Sequence, residues 1–216
     1  MDVFHLTERN HANAIEKTAS LLKRGGVVAI PTDTVYGLVA DVLRDAAVKK
    51  IFRIKARSHL KAIPIFVRDI AQAKQYAYID PKLTRILHEI WPGPTTVVLR
   101  KKGGLSQLVT GSERTVGLRI PDDPFLAALL VAFPNPITGT SANLSGMEPA
   151  RSAVEVQNTF KNSLARPDLI IDRGELAPSP ASTVLDLTNP RTPKIVRMGA
   201  ASPGKLMELL AHWEKH

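Results

Sequence analysis

Apolar positions follow two different patterns along this chain. Residues 10–24 and 44–56 place apolar side chains three or four positions apart, which is the spacing of amphipathic helices. Between them, residues 27–30 form a short continuous apolar run that is typical of a buried strand. Helical patterns and short apolar runs continue to alternate to the end of the chain. This pattern predicts an α/β fold, in which helices cover a sheet.

The later elements have clearer boundaries. Helices are expected to begin at typical N-terminal capping residues, which are Asp80, Asp123, Ser152 and Ser202. Strands are expected at residues 63–67, 95–100, 115–121, 169–172, 184–187 and 194–197. A turn at residues 101–104 indicates some antiparallel pairing, so we expect a twisted, open, mostly parallel or mixed sheet with helices on both faces. No repeat or linker divides the chain, and a single domain over residues 1–216 is predicted.

Polar groups cluster where two of the apolar runs end. The run that ends at Ile30 leads into Thr32, Asp33 and Thr34, and residues 136–146 repeat the pattern with threonine, serine and asparagine. Loops at strand ends are where α/β proteins place their ligands, although an ordinary capped turn also explains the first loop. Arg119 lies inside a predicted strand, which is unexpected unless it meets a carboxylate or a phosphate.

Composition narrows the function classes. The chain has no cysteine, which excludes disulfides, thiolate catalysis and cysteine-bound zinc. It carries 29 Lys and Arg against 20 Asp and Glu, a net charge of +9 that favours an anionic partner such as nucleic acid or a nucleotide. No secretory signal and no apolar run of membrane-spanning length is present, so a cytoplasmic protein without membrane contact is expected.

Cations are concentrated between Lys49 and Lys61, where six Lys and Arg residues occur without an acidic one. A solvated helix face and a cationic wall over a phosphate-bearing ligand both fit this segment. The chain has no P-loop, no GxGxxG fingerprint and no GxSxG elbow. The strand-end hydroxyls also lack a neighbouring base that would make them nucleophiles. They point instead to positioning and electrostatic catalysis on a phosphate-bearing substrate.

Seven short motifs in a fixed order make the chain recognisable. They are residues 31–38 (PTDTVYGL), Lys55-x-Arg57, residues 91–96 (WPGPTT), residues 116–121 (VGLRIP), residues 140–146 (TSANLSG), residues 182–186 (STVLD) and residues 195–197 (IVR). Over roughly residues 10–200 the chain resembles the Sua5/YrdC family of L-threonylcarbamoyladenylate synthases. Its length is similar to that of the short, YrdC-type members.

The resemblance implies an enzyme with a YrdC-like fold. It would condense L-threonine, bicarbonate and ATP, with Mg²⁺ accompanying the nucleotide, to threonylcarbamoyl-AMP and pyrophosphate. The product would serve t6A modification of adenosine 37 in tRNA through a separate transferase complex. Substrate atoms supply both nucleophiles in this reaction, so no catalytic triad is needed.

The resemblance also implies the site residues. The catalytic set would be Lys55, Arg57, Ser141 and Asn143. Threonine would contact Thr34, Arg119, Ser141 and Ser182, whereas the nucleotide would contact Arg57, Lys61, Thr115, Asn143 and Arg197. No protein-bound metal is implied. Thr32 is a second choice for threonine, and Asp33 is open between a cap and a ligand contact.

Some positions depart from the family pattern, and other functions stay open. Ser58 and Ala62 replace usual family residues, and Arg68 stands where a histidine is common, which places the Lys61 and Arg68 contacts in question. A double-stranded RNA or tRNA-binding module without catalysis fits the basic charge. A carbamoyl-transfer enzyme that uses carbamoyl phosphate, as in hydrogenase maturation factors, is a third alternative.

Overall fold

Helices and strands alternate through the chain, as the hydrophobic pattern predicts. The structure, a computed structural model, describes residues 1–59, 61–111 and 113–213. The strands are Asp2–His5 (β1), Val28–Ile30 (β2), Gly37–Val39 (β3), Ile65–Phe66 (β4), Thr95–Arg100 (β5), Thr115–Arg119 (β6), Ile137–Thr138 (β7), Thr140–Ser141 (β8), Leu169–Asp172 (β9), Thr183–Asp186 (β10) and Lys194–Arg197 (β11). The helices are His11–Lys23 (α1), Asp45–Lys55 (α2), Ile70–Tyr76 (α3), Pro81–Ile90 (α4), Gln107–Thr110 (α5), Pro124–Ala132 (α6), Ala153–Phe160 (α7) and Pro203–Trp213 (α8). Leu60 of the basic segment and residues 214–216 of the predicted domain lie outside the described residues.

The α/β class and the mixed strand directions are confirmed, and the described strands form two sheets. The first sheet has the order β1-β9-β2-β3-β8 and the second the order β11-β10-β5-β6-β4-β7. The predicted antiparallel pair is present, with Val97 opposite Leu118 across β5 and β6. The chain passes between the sheets at Gly139, because β7 pairs with β4 and β8 pairs with β3. A Cβ atom at this glycine would lie 2.8 Å from the Phe66 ring.

The predicted starts of α4, α6 and α7 are confirmed by their caps. The side chain of Asp80 accepts a hydrogen bond from the Leu83 amide, and Asp123 accepts one from the Leu126 amide. Each such cap satisfies an amide that has no partner in the first helical turn and contributes about 1 kcal/mol. Asp123 thereby fixes the start of α6, which lies close to the polar loop that follows β2.

The hydrophobic pattern misses six short elements, namely β1, β3, β7, β8, α3 and α5. Each spans two to seven residues, which is too short for a period to be distinguished. β1 also depends on a distant partner, because Asp2 pairs with Leu169 in β9. The predicted turn at residues 101–104 is followed by α5 before β6 begins.

The polar loop after β2 is fixed by the buried ring of Tyr36. Its hydroxyl donates to the carbonyl of Gly174 at 2.8 Å and accepts from the amide of Arg173 at 3.1 Å. Burial raises the pKa of Tyr36 to about 12. The loop is therefore tied to the chain that leaves β9. Within the described residues, no helix combines the length and the apolar character that crossing a membrane requires.

Candidate functional site

A cavity of about 220 Å³ lies where the two sheets meet. The polar side chains that line it are Thr32, Thr34, Arg57, Arg119, Thr140, Ser141, Ser182 and Arg197. No acidic residue is part of this lining as far as the chain is described. The cavity therefore offers hydroxyl groups and guanidinium groups, which suits a small polar ligand with negative charge.

Thr32 and Thr34 form one wall, and both are buried. The Thr32 hydroxyl oxygen lies 3.0 Å from the Thr34 amide nitrogen and 3.1 Å from the Thr34 hydroxyl. It also donates to the carbonyl of Val35 at 2.7 Å. Thr32 thus holds the loop in shape, and the hydroxyl of Thr34, the first choice of the sequence, has fewer contacts within the loop.

Lys55 lies behind the opposite wall. It is 2% exposed, and its Nζ donates to the carbonyl of Ser141 at 2.5 Å and to the carbonyl and Oδ1 of Asn143 at 3.0 Å each. The Ser141 hydroxyl in turn donates to Asn143 Oδ1 at 2.5 Å. Burial and the nearby charge of Arg57 lower the pKa of Lys55 to about 7. Three of the four predicted catalytic residues are therefore in direct contact, and of these three Ser141 lines the cavity.

The chain reverses direction between Lys55 and Arg57. Ala56 ends α2 in the left-handed conformation, with φ 47° and ψ 44°, which costs a non-glycine residue about 1 kcal/mol. The reversal places Arg57 in the cavity lining, and its Nη2 donates to the carbonyl of Ala62 at 2.8 Å. Its Nε is buried and has no hydrogen-bond partner among the described residues. Burial lowers the pKa of Arg57, so this cation is poorly compensated inside the protein.

Arg119 meets a carboxylate, as its position in a strand required. Its Nη2 lies 2.6 Å from both carboxylate oxygens of Asp33, and its Nε donates to the carbonyl of Gly93 at 2.9 Å. Asp33 is the ion-pair partner of Arg119 and does not cap a helix, and its contact with a ligand stays a prediction. The guanidinium of Arg119 still lines the cavity.

Ser182 and Arg197 form the third wall. The Ser182 hydroxyl lies 3.0 Å from that of Thr96, and the Arg197 guanidinium donates to the Ser182 carbonyl at 2.7 Å. Ser182 precedes β10, and Arg197 ends its neighbour β11. Antiparallel pairing of these strands therefore brings together two residues that lie 15 positions apart.

Gly199 supports this third wall from behind. Its amide donates to the Thr183 hydroxyl at 2.9 Å, and a Cβ atom would lie 2.1 Å from the carbonyl oxygen of Ala181. Because the obstacle is backbone, alanine at this position would force residues 181–183 to move. We expect Gly199→Ala to lower the melting temperature by several degrees, with Gly204→Ala, which meets no atom within 4 Å, as the control. Equal thermal unfolding of both variants and the wild type would contradict this close contact.

Three of the predicted nucleotide contacts lie outside the cavity lining, namely Lys61, Thr115 and Asn143. Lys61 is exposed, and Thr115 borders a separate basic depression together with Arg100. Thr115 nevertheless shares a face of β6 with Arg119, since residues two apart in a strand point to the same side. Arg68 pairs with the neighbouring Asp69 at 2.8 Å. The binding roles of these residues, like those of the residues that line the cavity, stay predictions.

Arg173 is a site-supporting residue that sequence reasoning missed. It pairs with Asp123 at 2.5 Å and donates to the carbonyl of Thr32 at 3.2 Å. It therefore joins the threonine wall to the start of α6. No motif marks this arginine, and a single exposed cation after a strand gives no signal of such a role.

The geometry of the cavity defines a class of protein. Hydroxyls and guanidinium groups surround the cavity, and the described part of the lining contains no cysteine, histidine or carboxylate that could act as a nucleophile or base. Such a site can orient a polar anionic molecule and stabilise charge that develops on it. The molecule is thus an α/β protein with a cavity at the junction of two sheets, and hydroxyl and positively charged guanidinium groups line this cavity.

Comparison with known proteins assigns the family. The family model Sua5_yciO_yrdC, described as "Telomere recombination", matches residues 20–199. The chain therefore belongs to the Sua5/YciO/YrdC family, which confirms the resemblance read from the motifs. A relative from Methanocaldococcus jannaschii, named "Putative threonylcarbamoyl-AMP synthase", is 34% identical over 86% of this chain and 86% of its own length. This name agrees with the prediction that the chain is an enzyme.

Two solved structures share the fold. The structure of P. abyssi Sua5 complexed with L-threonine superposes with a TM-score of 0.89 and 32% identity, and it covers 97% of this chain. This chain spans 61% of the length of that protein. Full-length HypF in its phosphate- and nucleotide-bound form matches with a TM-score of 0.76 and 26% identity, over 86% of this chain and 29% of that protein.

Proposed function

We propose that this chain is an L-threonylcarbamoyladenylate synthase, which condenses L-threonine, bicarbonate and ATP to threonylcarbamoyl-AMP and pyrophosphate. The observation that carries the proposal is the convergence of Thr34, Arg57, Arg119, Ser141 and Ser182 on one cavity. These residues are spread over almost 150 positions of the sequence, and they are the positions at which the family motifs place substrate contacts. The relative named as a threonylcarbamoyl-AMP synthase and the threonine complex of P. abyssi Sua5 support the same reading.

The size of the cavity supports a division of the substrates. A volume of about 220 Å³ suits an amino acid, whereas drug-sized ligands occupy roughly 300–1,000 Å³. In this proposal threonine fills the cavity, with its carboxylate at Arg119 and its polar groups at Thr34 and Ser182. The nucleotide lies across the mouth of the cavity, where Arg57 and Arg197 face its phosphates. Thr115 would then meet the nucleoside farther along the same face of β6.

The chemistry needs alignment more than it needs reactive side chains. Bicarbonate takes up a proton and divides into CO₂ and water. The threonine nitrogen then attacks the carbon of CO₂ and releases a proton, which gives a carbamate. A carbamate oxygen then attacks the α-phosphorus of ATP, and pyrophosphate leaves with the electron pair of the broken P–O bond. Arg57 and Arg197 stabilise the negative charge on the phosphoryl oxygens, while Lys55 holds Ser141 and Asn143 in position.

The nucleotide would bring its own magnesium ion. Where the chain is described, no cluster of three or more histidine, cysteine or acidic side chains could hold a metal ion. Mg²⁺ commonly binds through phosphate oxygens and water with few protein ligands, so hydroxyl groups such as those of Thr34 and Ser141 are compatible with it. The ion would neutralise part of the triphosphate charge during attack.

Release of pyrophosphate tests the proposal. The purified protein is expected to release pyrophosphate from Mg²⁺-ATP only when L-threonine and bicarbonate are both present. Replacing both with carbamoyl phosphate tests the third alternative in the same assay. An unchanged rate after threonine is omitted would contradict the proposed reaction.

Binding of RNA is a second candidate, favoured by one separate surface. Lys49, Arg53 and His59 border a depression next to α2 that is outside the cavity. Phosphate contacts by such cations would give affinity for tRNA or double-stranded RNA that falls steeply with salt. Turnover that persists without RNA would assign catalysis to the cavity and leave RNA as an additional partner. The t6A transferase as downstream partner and the cytoplasmic location remain part of the proposal.

A further inference from the structure

Arg119 is held on three sides by other parts of the protein. Asp33 binds its Nη2, the Gly93 carbonyl binds its Nε, and the ring of Phe66 lies 5.7 Å from the guanidinium carbon. The Arg119 and Asp33 side chains are only 4% and 11% exposed. Among the described residues, Nη1 is the guanidinium nitrogen without a hydrogen-bond partner. A ligand carboxylate that enters the cavity therefore meets one free edge of this arginine.

The ion pair also changes the charge that a ligand experiences. Asp33 neutralises Arg119, whereas no acidic partner is seen in the described chain for Arg57 and Arg197, which line the same cavity. A carboxylate at Arg119 approaches a cation that already has an anion 2.6 Å away. Part of its attraction to the arginine is cancelled by repulsion from Asp33. A bare carboxylate should thus gain little from binding at this position.

We propose that Asp33 is a specificity-determining residue. It prevents a ligand from occupying the cavity through its carboxylate group alone. The inference rests on the proposed function, in which the cavity receives an amino acid. With Arg119 neutralised, a ligand must add hydrogen bonds to the hydroxyl walls at Thr34 and Ser182 to be held. Small carboxylates lack those groups and are rejected. Without the aspartate charge, Arg119 would be a buried, uncompensated cation that any small anion could relieve.

Substitution of Asp33→Asn tests this inference, because asparagine keeps the shape and removes the charge. We expect the variant without ligand to melt roughly 6–20 °C below the wild type, as follows from breaking a buried ion pair. Sodium acetate at constant ionic strength should restore much of this loss in the variant and leave the wild type unchanged. In calorimetric competition, the dissociation constant of acetate divided by that of L-threonine should be at least tenfold lower in Asp33→Asn than in the wild type.

Two further variants separate the inference from a general loss of structure. Asp122→Asn removes a neighbouring exposed carboxylate and should behave like the wild type. The double variant Asp33→Asn, Arg119→Gln removes both charges, so it should recover stability and show no response to acetate. Recovery by the double variant would support the inference even if Asp33→Asn alone does not fold. A double variant that is as unstable as the single one would overturn it.

The remaining outcomes are equally decisive. If Asp33→Asn weakens acetate and threonine binding in parallel, Asp33 only positions Arg119 and the inference is wrong. The acetate measurements need neither ATP nor turnover, so they are independent of the pyrophosphate assay. Absence of threonine-dependent pyrophosphate release together with the expected acetate response would reject the proposed reaction and retain Asp33 as a carboxylate filter.

Discussion

Replacing Arg57 with lysine is expected to reduce threonine-dependent pyrophosphate release at least ~100-fold while the fold is retained. The change keeps the positive charge and removes the planar group whose Nη2 donates to the Ala62 carbonyl and whose buried Nε lacks a partner in the described structure. Lysine presents its charge as a single point without a planar fork, so it cannot keep the Ala62 contact and also offer a phosphate two parallel N–H groups. Initial rates at saturating threonine and ATP measure the effect.

A matched control is available on the helix that precedes Arg57. Arg53 is exposed in the last turn of α2 and lies outside the cavity lining, so Arg53→Lys is expected to leave the rate unchanged. Equal rates for Arg57→Lys and wild type would show that charge alone suffices at this position. The bidentate role that we assign to Arg57 would then have to be abandoned.

Lys55→Met is expected to lower the same rate by about two orders of magnitude or more. Methionine fills a similar volume, yet it leaves the Ser141 carbonyl and two oxygens of Asn143 without the donor that Nζ provides. Because a displacement of about 1 Å in a positioned group can cost ~100-fold in rate, loss of this anchor should be severe. Lys49→Met, an exposed position on α2, is the matched control and should retain full activity. Loss in both variants would point to a general defect of the helix.

The pH dependence of stability provides a second measurement on Lys55. Burial, with a contribution from Arg57, lowers the pKa of this lysine from 10.5 to about 7 in the folded protein. Between these two values the unfolded chain binds more protons than the folded one, so stability contributed by Lys55 rises with pH. The melting temperature of the wild type minus that of Lys55→Met should therefore increase from pH 7 to pH 9. A constant difference would show that Lys55 titrates at its ordinary value.

Part of the site could be predicted from the order of motifs alone. The positions of Thr34, Arg57, Arg119, Ser141, Ser182 and Arg197 were predicted from the sequence, and all of them line one cavity. Asp33 shows the limit of such reasoning. Its carboxylate could have been a cap or a ligand contact, and the choice depended on Arg119, which lies 86 positions away.

Local chemistry, encoded within a few residues, determined much of the fold. The starts of α4 and α6 follow from an aspartate cap before a proline, and the extent of β5 follows from its β-branched run. Such features depend on neighbours in the chain, so the sequence by itself decided them. It also decided the absence of cysteine chemistry and the basic charge of the molecule.

Only the tertiary structure decided how these pieces meet. The division into two sheets at Gly139, the contact of Lys55 with Asn143 and the neutralisation of Arg119 by Asp33 all join residues that are distant in sequence or in the sheet order. Contacts of this kind form because buried charges and amides must find partners wherever the packed core places them. The hydrophobic periodicity of the sequence does not indicate which distant residues form these contacts.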